Sequence, residues 1–494
     1  MAEPGWRWRA AKSSLLLPRP LRDWLYNRIA KNRYALFCRK ASCEIPSAEL
    51  KGGWLASRRA PPGFRFARYR GAPAFWGSRD EDPHRRRLRQ LWRPLLENEP
   101  RLTLIVAERS LARADGYCKN RDRAVARVVP ALFDRDGDIV EQLSPLRPDI
   151  LIDASGPFQA YGEGRYRLIE ACIDQGVNYL DLADGSDFVA GVSAFNEAAR
   201  TVGLFVLSGV SSFPVLTAAV RRLSLGMARV DSIRGGIAPS PFAGVGENVI
   251  RVISGYAGQP VKLVRNGRSA LGHPFTEQTR YTIAPPGRLP LRNTLFSLVD
   301  VPDLRALSEL WPEAKTIWMG AGPVPEVLHR ALIGLAWLVR ARTVRSLSPL
   351  ASLMQLATNR LRWGEHRGRM FVEVAGSDQT GVAATRSWHL LAESNDGPLI
   401  PSMAVEALVR KALDGHEAPP GARAAVHDLE LEDYEALFAS KTINTGFRNE
   451  PVDLDTPFYA ALLGDAWLSL PDEIRAMHDG TTTAEGRAPG RART

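Results

Sequence analysis

Residues 149–217 read DILIDASGPFQAYGEGRYRLIEACIDQGVNYLDLADGSDFVAGVSAFNEAARTVGLFVLSGVSSFPVLT. Three apolar runs stand in this stretch: Ile150 to Ala154, Val177 to Leu182 and Leu204 to Leu207. Each is closed by small or turn-forming residues, and helix-length segments separate them. A β-α-β-α-β rhythm of this kind calls for a parallel sheet covered on both faces. Ligands on such sheets bind beyond the carboxyl ends of the strands. Ser155, Gly156, Pro157 and Phe158 fall at one such end, and Asp181 to Asp184 at another. The stretch reads as half of a nucleotide-binding domain, and the other half has to lie upstream.

Three blocks in the same stretch carry a family resemblance. They are Ala154-Ser155-Gly156-Pro157-Phe158, then Ala171-Cys172 through Gly176-Val177-Asn178-Tyr179-Leu180-Asp181, then Ser208-Gly209 through Pro214-Val215-Leu216. In this order and spacing the chain resembles the saccharopine dehydrogenase-like reductases, and a weaker likeness runs from about Arg101 to Arg448. The resemblance implies an α/β protein with a Rossmann-like parallel sheet and a second α+β substrate domain. It also implies a nicotinamide dinucleotide, usually NADP, as coenzyme. A small-molecule or lipid-like substrate and a homodimer fit that expectation.

The chain has 494 residues, 45% of them hydrophobic and 24% charged, the composition of a globular protein with two to four domains. Cys38, Cys43, Cys118 and Cys172 are too few and too scattered for a disulfide framework, so a reducing, cytoplasmic setting is expected. The net charge of +11 is unevenly spread. Residues 1–93 hold 22 Lys+Arg against 7 Asp+Glu, whereas the remainder is close to neutral at −4. A nucleic-acid partner is therefore not expected of the body. The run Ala331 to Val339 is too short to span a bilayer. It reads as a core helix, but its basic flank (Arg340, Arg342, Arg345) leaves contact with a membrane surface open.

The organisation expected from these features is a small N-terminal remnant at 1–56, an irregular Arg-rich segment at 57–93, and a Rossmann-like domain at 94–230. A substrate or dimerisation domain follows at 231–400. A helix and strand packing back on the body take 401–450, and a truncated fragment takes 451–494. The remnant resembles the tail of the DCC family of thiol-disulfide oxidoreductase-like proteins, through Ala30-Lys31-Asn32-Arg33-Tyr34, Phe37, Cys43 and Pro46. That family's redox motif has no match here. The last segment, from Thr456, resembles the opening of a domain of unknown function that often trails these reductases, and is expected to give a short helix or two.

A Rossmann domain opens with a strand and G-x-G-x-x-G, which for a second strand at Leu102 to Ala107 puts the first strand near 82–93. That tract reads Asp82-Pro83-His84-Arg85-Arg86-Arg87-Leu88-Arg89-Gln90-Leu91-Trp92-Arg93, with no glycine. Its codons read one base later permit Ile-Leu-Ile-Val-Gly-Gly-Tyr-Gly-Asn-Phe-Gly-Gly, an apolar strand followed by the full motif. Two readings stay open: an out-of-frame copy of the coenzyme loop, and a basic arm on a solvated face. Under either, the first strand and Gly-rich loop are damaged or missing, because a diphosphate needs glycines for close backbone approach.

Further along, Glu108-Arg109-Ser110 closes the second strand where an adenosine ribose would lie. The fork of Arg109 suits a 2′-phosphate and favours NADP over NAD, whereas Glu108 could repel that phosphate or pair with Arg109. Ser155 and Gly156 would offer backbone N–H groups near the nicotinamide ribose, or make a plain turn. Asp181 and Asp184 could meet a substrate amine or relay a proton, or cap a turn. No catalytic residue is assigned, and the histidines show no metal-ligand spacing. The functional expectation is an NAD(P)-dependent oxidoreductase with impaired coenzyme binding. Its competitors are a non-catalytic pseudoenzyme and a membrane-peripheral binding protein.

Overall fold

The computed structural model describes residues 74–77, 99–119, 125–156, 158, 162–243, 247–393, 396–449 and 458–478. Of the segments expected at 1–56 and 57–93, residues 74–77 alone are described, and the tract 82–93 lies outside the described residues. Apart from residues 363–365, the described residues form a single compact unit.

The chain begins with β1 (Ala74–Gly77), β2 (Thr103–Glu108), α1 (Leu111–Lys119), β3 (Arg127–Leu132), α2 (Ile139–Leu146) and β4 (Ile150–Asp153). It continues through α3 (Arg167–Gln175), β5 (Asn178–Asp181), α4 (Ser186–Gly191), α5 (Asn196–Thr201), β6 (Phe205–Ser208) and α6 (Phe213–Ser224). These strands make one parallel sheet in the order β3-β2-β1-β4-β5-β6. Strand β4 is buried at all four positions, as is β6, which is why both read as unbroken apolar runs rather than alternating ones. Helix α2 starts on an Asp138 cap, whose carboxylate accepts from the Glu141 amide.

The first strand corrects the sequence expectation. It is present, and it lies at Ala74–Gly77, ahead of the tract at 82–93. Ala74 pairs with Ile105 on one side and Leu151 on the other, so β1 occupies the middle of the sheet. Ladder hydrogen bonds from both neighbours, rather than a β-branched apolar run, define it.

The second half holds β7 (Met227–Ala238), α7 (Glu247–Tyr256), β8 (Val261–Arg265), β9 (Arg268–Gly272), β10 (Gln278–Ile283), β11 (Leu291–Leu298), α8 (Asp303–Leu310), β12 (Thr316–Ala321), α9 (Glu326–Arg340) and α10 (Ala351–Arg360). Then come β13 (Gly368–Asp378), β14 (Ala383–Ala392), α11 (Ile400–Leu413), β15 (Gly421–Ala424), α12 (Leu431–Phe438), β16 (Ile443–Arg448), α13 (Phe458–Leu463) and α14 (Asp472–His478). A second sheet runs β10-β11-β12-β7-β13-β14-β16, with β12 parallel to β7 and the other pairs antiparallel. The β8–β9 hairpin turns on Asn266-Gly267, both at positive φ, as a two-residue primed turn requires. Segment 401–450 serves both sheets: β15 extends the parallel sheet beside β6, and β16 extends the mixed sheet beside β14.

One apolar core joins the two sheets. Helix α6 is buried at Phe213 to Val220 and at Leu223. Its neighbours in the core include Ile152, Leu180 and Leu207 of the first sheet and Ile233, Val372 and Trp388 of the second. On the opposite face of the mixed sheet, Phe371 stacks on Tyr281 at 3.7 Å and meets Phe296 edge-on at 5.0 Å. A Cβ at Gly236 would come within 2.6 Å of the Phe371 ring, so the glycine there makes room for that cluster. Phe371→Ala should cost about 3–5 kcal/mol in urea unfolding through transfer and cavity terms. A loss under about 1 kcal/mol would show that the aromatic cluster does not hold the sheet.

Candidate functional site

The carboxyl ends of β2, β4, β5 and β6 open on one edge of the parallel sheet, and the polar residues the sequence singled out lie there. Asp153, at the end of β4, is fully buried. Its Oδ1 accepts from the Ser155 amide at 2.9 Å and from the Ser155 hydroxyl. Its Oδ2 accepts from Arg135 Nη1 and, at 3.4 Å, from the Tyr179 hydroxyl. Arg135 is itself buried and donates from Nη2 to the Arg165 carbonyl at 2.8 Å. Arg135 follows β3 and Asp153 ends β4, and β2 and β1 lie between those strands. The ion pair therefore crosses the carboxyl ends of the two central strands.

Asp181 ties β5 to β6. Its Oδ1 accepts from the Ala183 amide at 2.9 Å, the Gly209 amide at 2.8 Å and the Ser208 hydroxyl at 2.9 Å. Its Oδ2 is buried without a partner. Burial pushes this carboxyl up to about 7, against the opposing pull of those three donors. Turn capping, one of the two readings of Asp181, is what the structure displays. An unpartnered carboxyl oxygen with a pKa near neutrality is also equipped to hold or pass a proton.

Several sequence expectations change here. The Ser155 N–H is taken by Asp153, so it does not offer itself to a ribose. Phe158 is a core residue, 4% exposed, packed against Phe188 at 5.0 Å. Pro157 lies outside the described residues, and Gly156 takes a φ of +26° in the turn. Arg109 does sit at the end of β2, but its carboxylate partners are Asp134 at 3.2 Å and Asp136 at 2.9 Å. Glu108 turns inward and is 9% exposed. The Ser110 carbonyl accepts from the Arg113 and Ala114 amides at the start of α1.

A second polar group lies where the mixed sheet meets this edge. Ser186, first residue of α4, donates to Asp300 Oδ1 at 2.6 Å, and Asp300 lies between β11 and α8. Burial raises the Asp300 carboxyl; its bond from Ser186 opposes this, and the charges of Asp187 and Asp184 add to it. Tyr256, the last residue of α7, has its phenol pushed up by burial and by Asp300 and Asp184. It stays protonated near neutrality. Sequence reasoning named Asp184 but missed Asp153, Arg135, Asp300 and Tyr256. A lone Arg or Asp in a turn carries no periodic signal. Among the described residues no group of three or more His, Cys, Asp or Glu could hold a metal ion.

No family model matches the chain. The uncharacterized protein YuxK of Bacillus subtilis (strain 168) is 42% identical over 48 residues, 10% of this chain and 35% of that protein. The chain thus spans about a third of the length of that relative. Among solved structures, apo saccharopine dehydrogenase (L-Glu forming) from Saccharomyces cerevisiae aligns with a TM-score of 0.52 at 13% identity, over 77% of this chain and 100% of that one. Amine dehydrogenase from Mycobacterium smegmatis gives 0.38 at 12% identity over 73% and 96%. GenD2 from gentamicin A biosynthesis, in complex with NAD, gives 0.34 at 11% over 80% and 100%. The first likeness is one of fold: the chain has a Rossmann-type α/β architecture.

Asp181 makes the sign of a pH effect testable. Its folded pKa lies above the ~3.9 of an unfolded aspartate. The folded protein keeps a proton that the unfolded chain releases, so this group's contribution to stability falls as pH rises from about 4 to about 7 and is constant above. Asp181→Asn keeps an acceptor for all three donors and removes the titration. The unfolding free energy of the wild type, measured relative to this variant, should drop by about 4 kcal/mol across that window. Parallel pH profiles for the two proteins would mean that Asp181 is not held neutral.

Proposed function

We propose that this chain is a nicotinamide-dinucleotide-dependent oxidoreductase whose coenzyme lies across the carboxyl edge of the parallel sheet. The observation that carries this reading is the strand order β3-β2-β1-β4-β5-β6. That order reverses direction between β1 and β4, and dinucleotides bind at such a switch point. A bound nicotinamide supplies the hydride acceptor or donor of such an enzyme. The residues available to hold it are those at the strand ends: Arg109 on the adenosine side and Gly156 after β4, with Asp181 fixing the turns after β5 and β6 from within. Asp184, Asp300 and Tyr256 lie towards the mixed sheet, where a substrate would be covered.

Coenzyme binding in this chain is weak on the same reading. The residues after β1, 78–98, contain six arginines and no glycine, and the next glycine after Gly77 is Gly116. A diphosphate is held by backbone N–H groups approached closely over glycine. The Arg135–Asp153 pair adds a second obstacle, because its buried guanidinium is already committed to a carboxylate.

Thermal-shift titration of the full chain with NADH and NADPH tests both parts. Stabilisation that saturates only in the millimolar range is expected. Replacing the eight residues that follow β1, 78–85, by Gly-Gly-Tyr-Gly-Asn-Phe-Gly-Gly should tighten binding about 100-fold, roughly 2.7 kcal/mol. Saturation of the unaltered chain at micromolar coenzyme would sink the weakening. Absence of any response in both proteins would sink the oxidoreductase reading.

Coenzyme choice follows from the partners of Arg109. With Asp134 and Asp136 paired to it, the guanidinium is largely neutralised toward a 2′-phosphate, and NADPH gains little over NADH. In the segment-replaced chain, Asp134→Asn with Asp136→Asn should shift the ratio of dissociation constants toward NADPH about tenfold, about 1.4 kcal/mol. An unchanged ratio would remove Arg109 from the adenosine site.

A further inference from the structure

Helix α9, the linker 341–350 and helix α10 each leave large apolar side chains exposed. Helix α9 buries His329, Leu332, Ala336 and Val339 at helical spacing. These pack with Phe275, Val299 and Leu347. An ordinary amphipathic helix would turn charged residues to the other side. Here the other side exposes Val327, Trp337 and Leu338. The linker adds Val344, and α10 adds Leu353 at 62% and Leu356 at 52% exposure.

Beyond Glu326, the charges along this segment have one sign. From Val327 to Arg362 there are six arginines and no Asp or Glu. Arg330 is paired with Glu326, and the Arg340 guanidinium lies 4.6 Å over the Trp337 ring. Arg342, Arg345 and Arg360 meet no carboxylate among the described residues.

We infer that the α9–α10 face docks on the surface of an anionic lipid bilayer. Apolar side chains would enter the headgroup boundary, Trp337 would sit at the interface, and the arginines would meet lipid phosphates while their stems lie along the apolar layer. The charge pattern selects this occupant over a second copy of the chain, which would bring arginines against arginines. The mode is to lie on the bilayer and not to cross it. No helix among the described residues is long and apolar enough to span a membrane, and α9 has 15 residues. This inference is independent of coenzyme binding.

The test is co-sedimentation of the full chain with vesicles of phosphatidylcholine, with and without phosphatidylglycerol. The N-terminal 93 residues are also basic, so variants in this face decide the matter. Leu353→Asp with Leu356→Asp changes only exposed positions, and melting temperature checks that the fold survives. Arg342→Glu with Arg345→Glu reverses charge without touching the core. The expected result is binding to the phosphatidylglycerol vesicles that weakens at high salt and falls about tenfold or more in each double variant. Binding that neither variant reduces would overturn the proposal, as would failure of the unaltered chain to bind anionic vesicles. It would also be overturned by a dimer in solution that Leu353→Asp with Leu356→Asp converts to monomer, because the face would then belong to a second copy.

Discussion

The burial of helix α6 between two sheets is the constraint on which the rest of the molecule depends. A helix that is apolar on nearly every side cannot face water, so it has to be enclosed. The parallel sheet supplies one wall and the mixed sheet the other, and their side chains merge into one core. That shared core fixes how the carboxyl edge of the parallel sheet meets the loops of the mixed sheet. Ser186 can reach Asp300 because of it, and Tyr256 can sit under the same influence.

At that edge, desolvation sets the chemistry. Asp153 is buried with a cation and three hydroxyl or amide donors, so its charge is compensated. Asp181 is buried with donors on a single oxygen, and its carboxyl rises toward neutrality in consequence. The Asp181 carboxyl is thus one that burial leaves able to carry a proton near neutrality. Both also fasten turns, Asp153 the turn after β4 and Asp181 those after β5 and β6.

The parallel sheet was legible because its strands are short, continuously apolar and separated by amphipathic helices. Ile150 to Asp153 and Ile139 to Leu146 stand where the pattern puts them. Strand β15 was not legible, since Gly421-Ala422-Arg423-Ala424 has no strand character and is made one by pairing with β6. Strand β1 lies eight residues before the tract at 82–93 for the same reason: its identity comes from the ladders on both sides. Arg109 was placed at the correct strand end, yet its partners come from the turn after β3, a contact no local pattern announces. An arginine in a turn reads as solvated, whereas Arg135 is a buried counter-ion. The run Ala331 to Val339 was half understood: one side is core, and the other is the exposed apolar face.

The central claim is that a dinucleotide lies across the carboxyl edge of the parallel sheet. Hydrogen exchange of the full chain, with and without millimolar NADH, tests it most directly. The account predicts slowed exchange in residues 151–156, 181–186 and 208–213, with the mixed sheet unchanged. Protection confined to the mixed sheet, or none at those strand ends while coenzyme is bound, would contradict it.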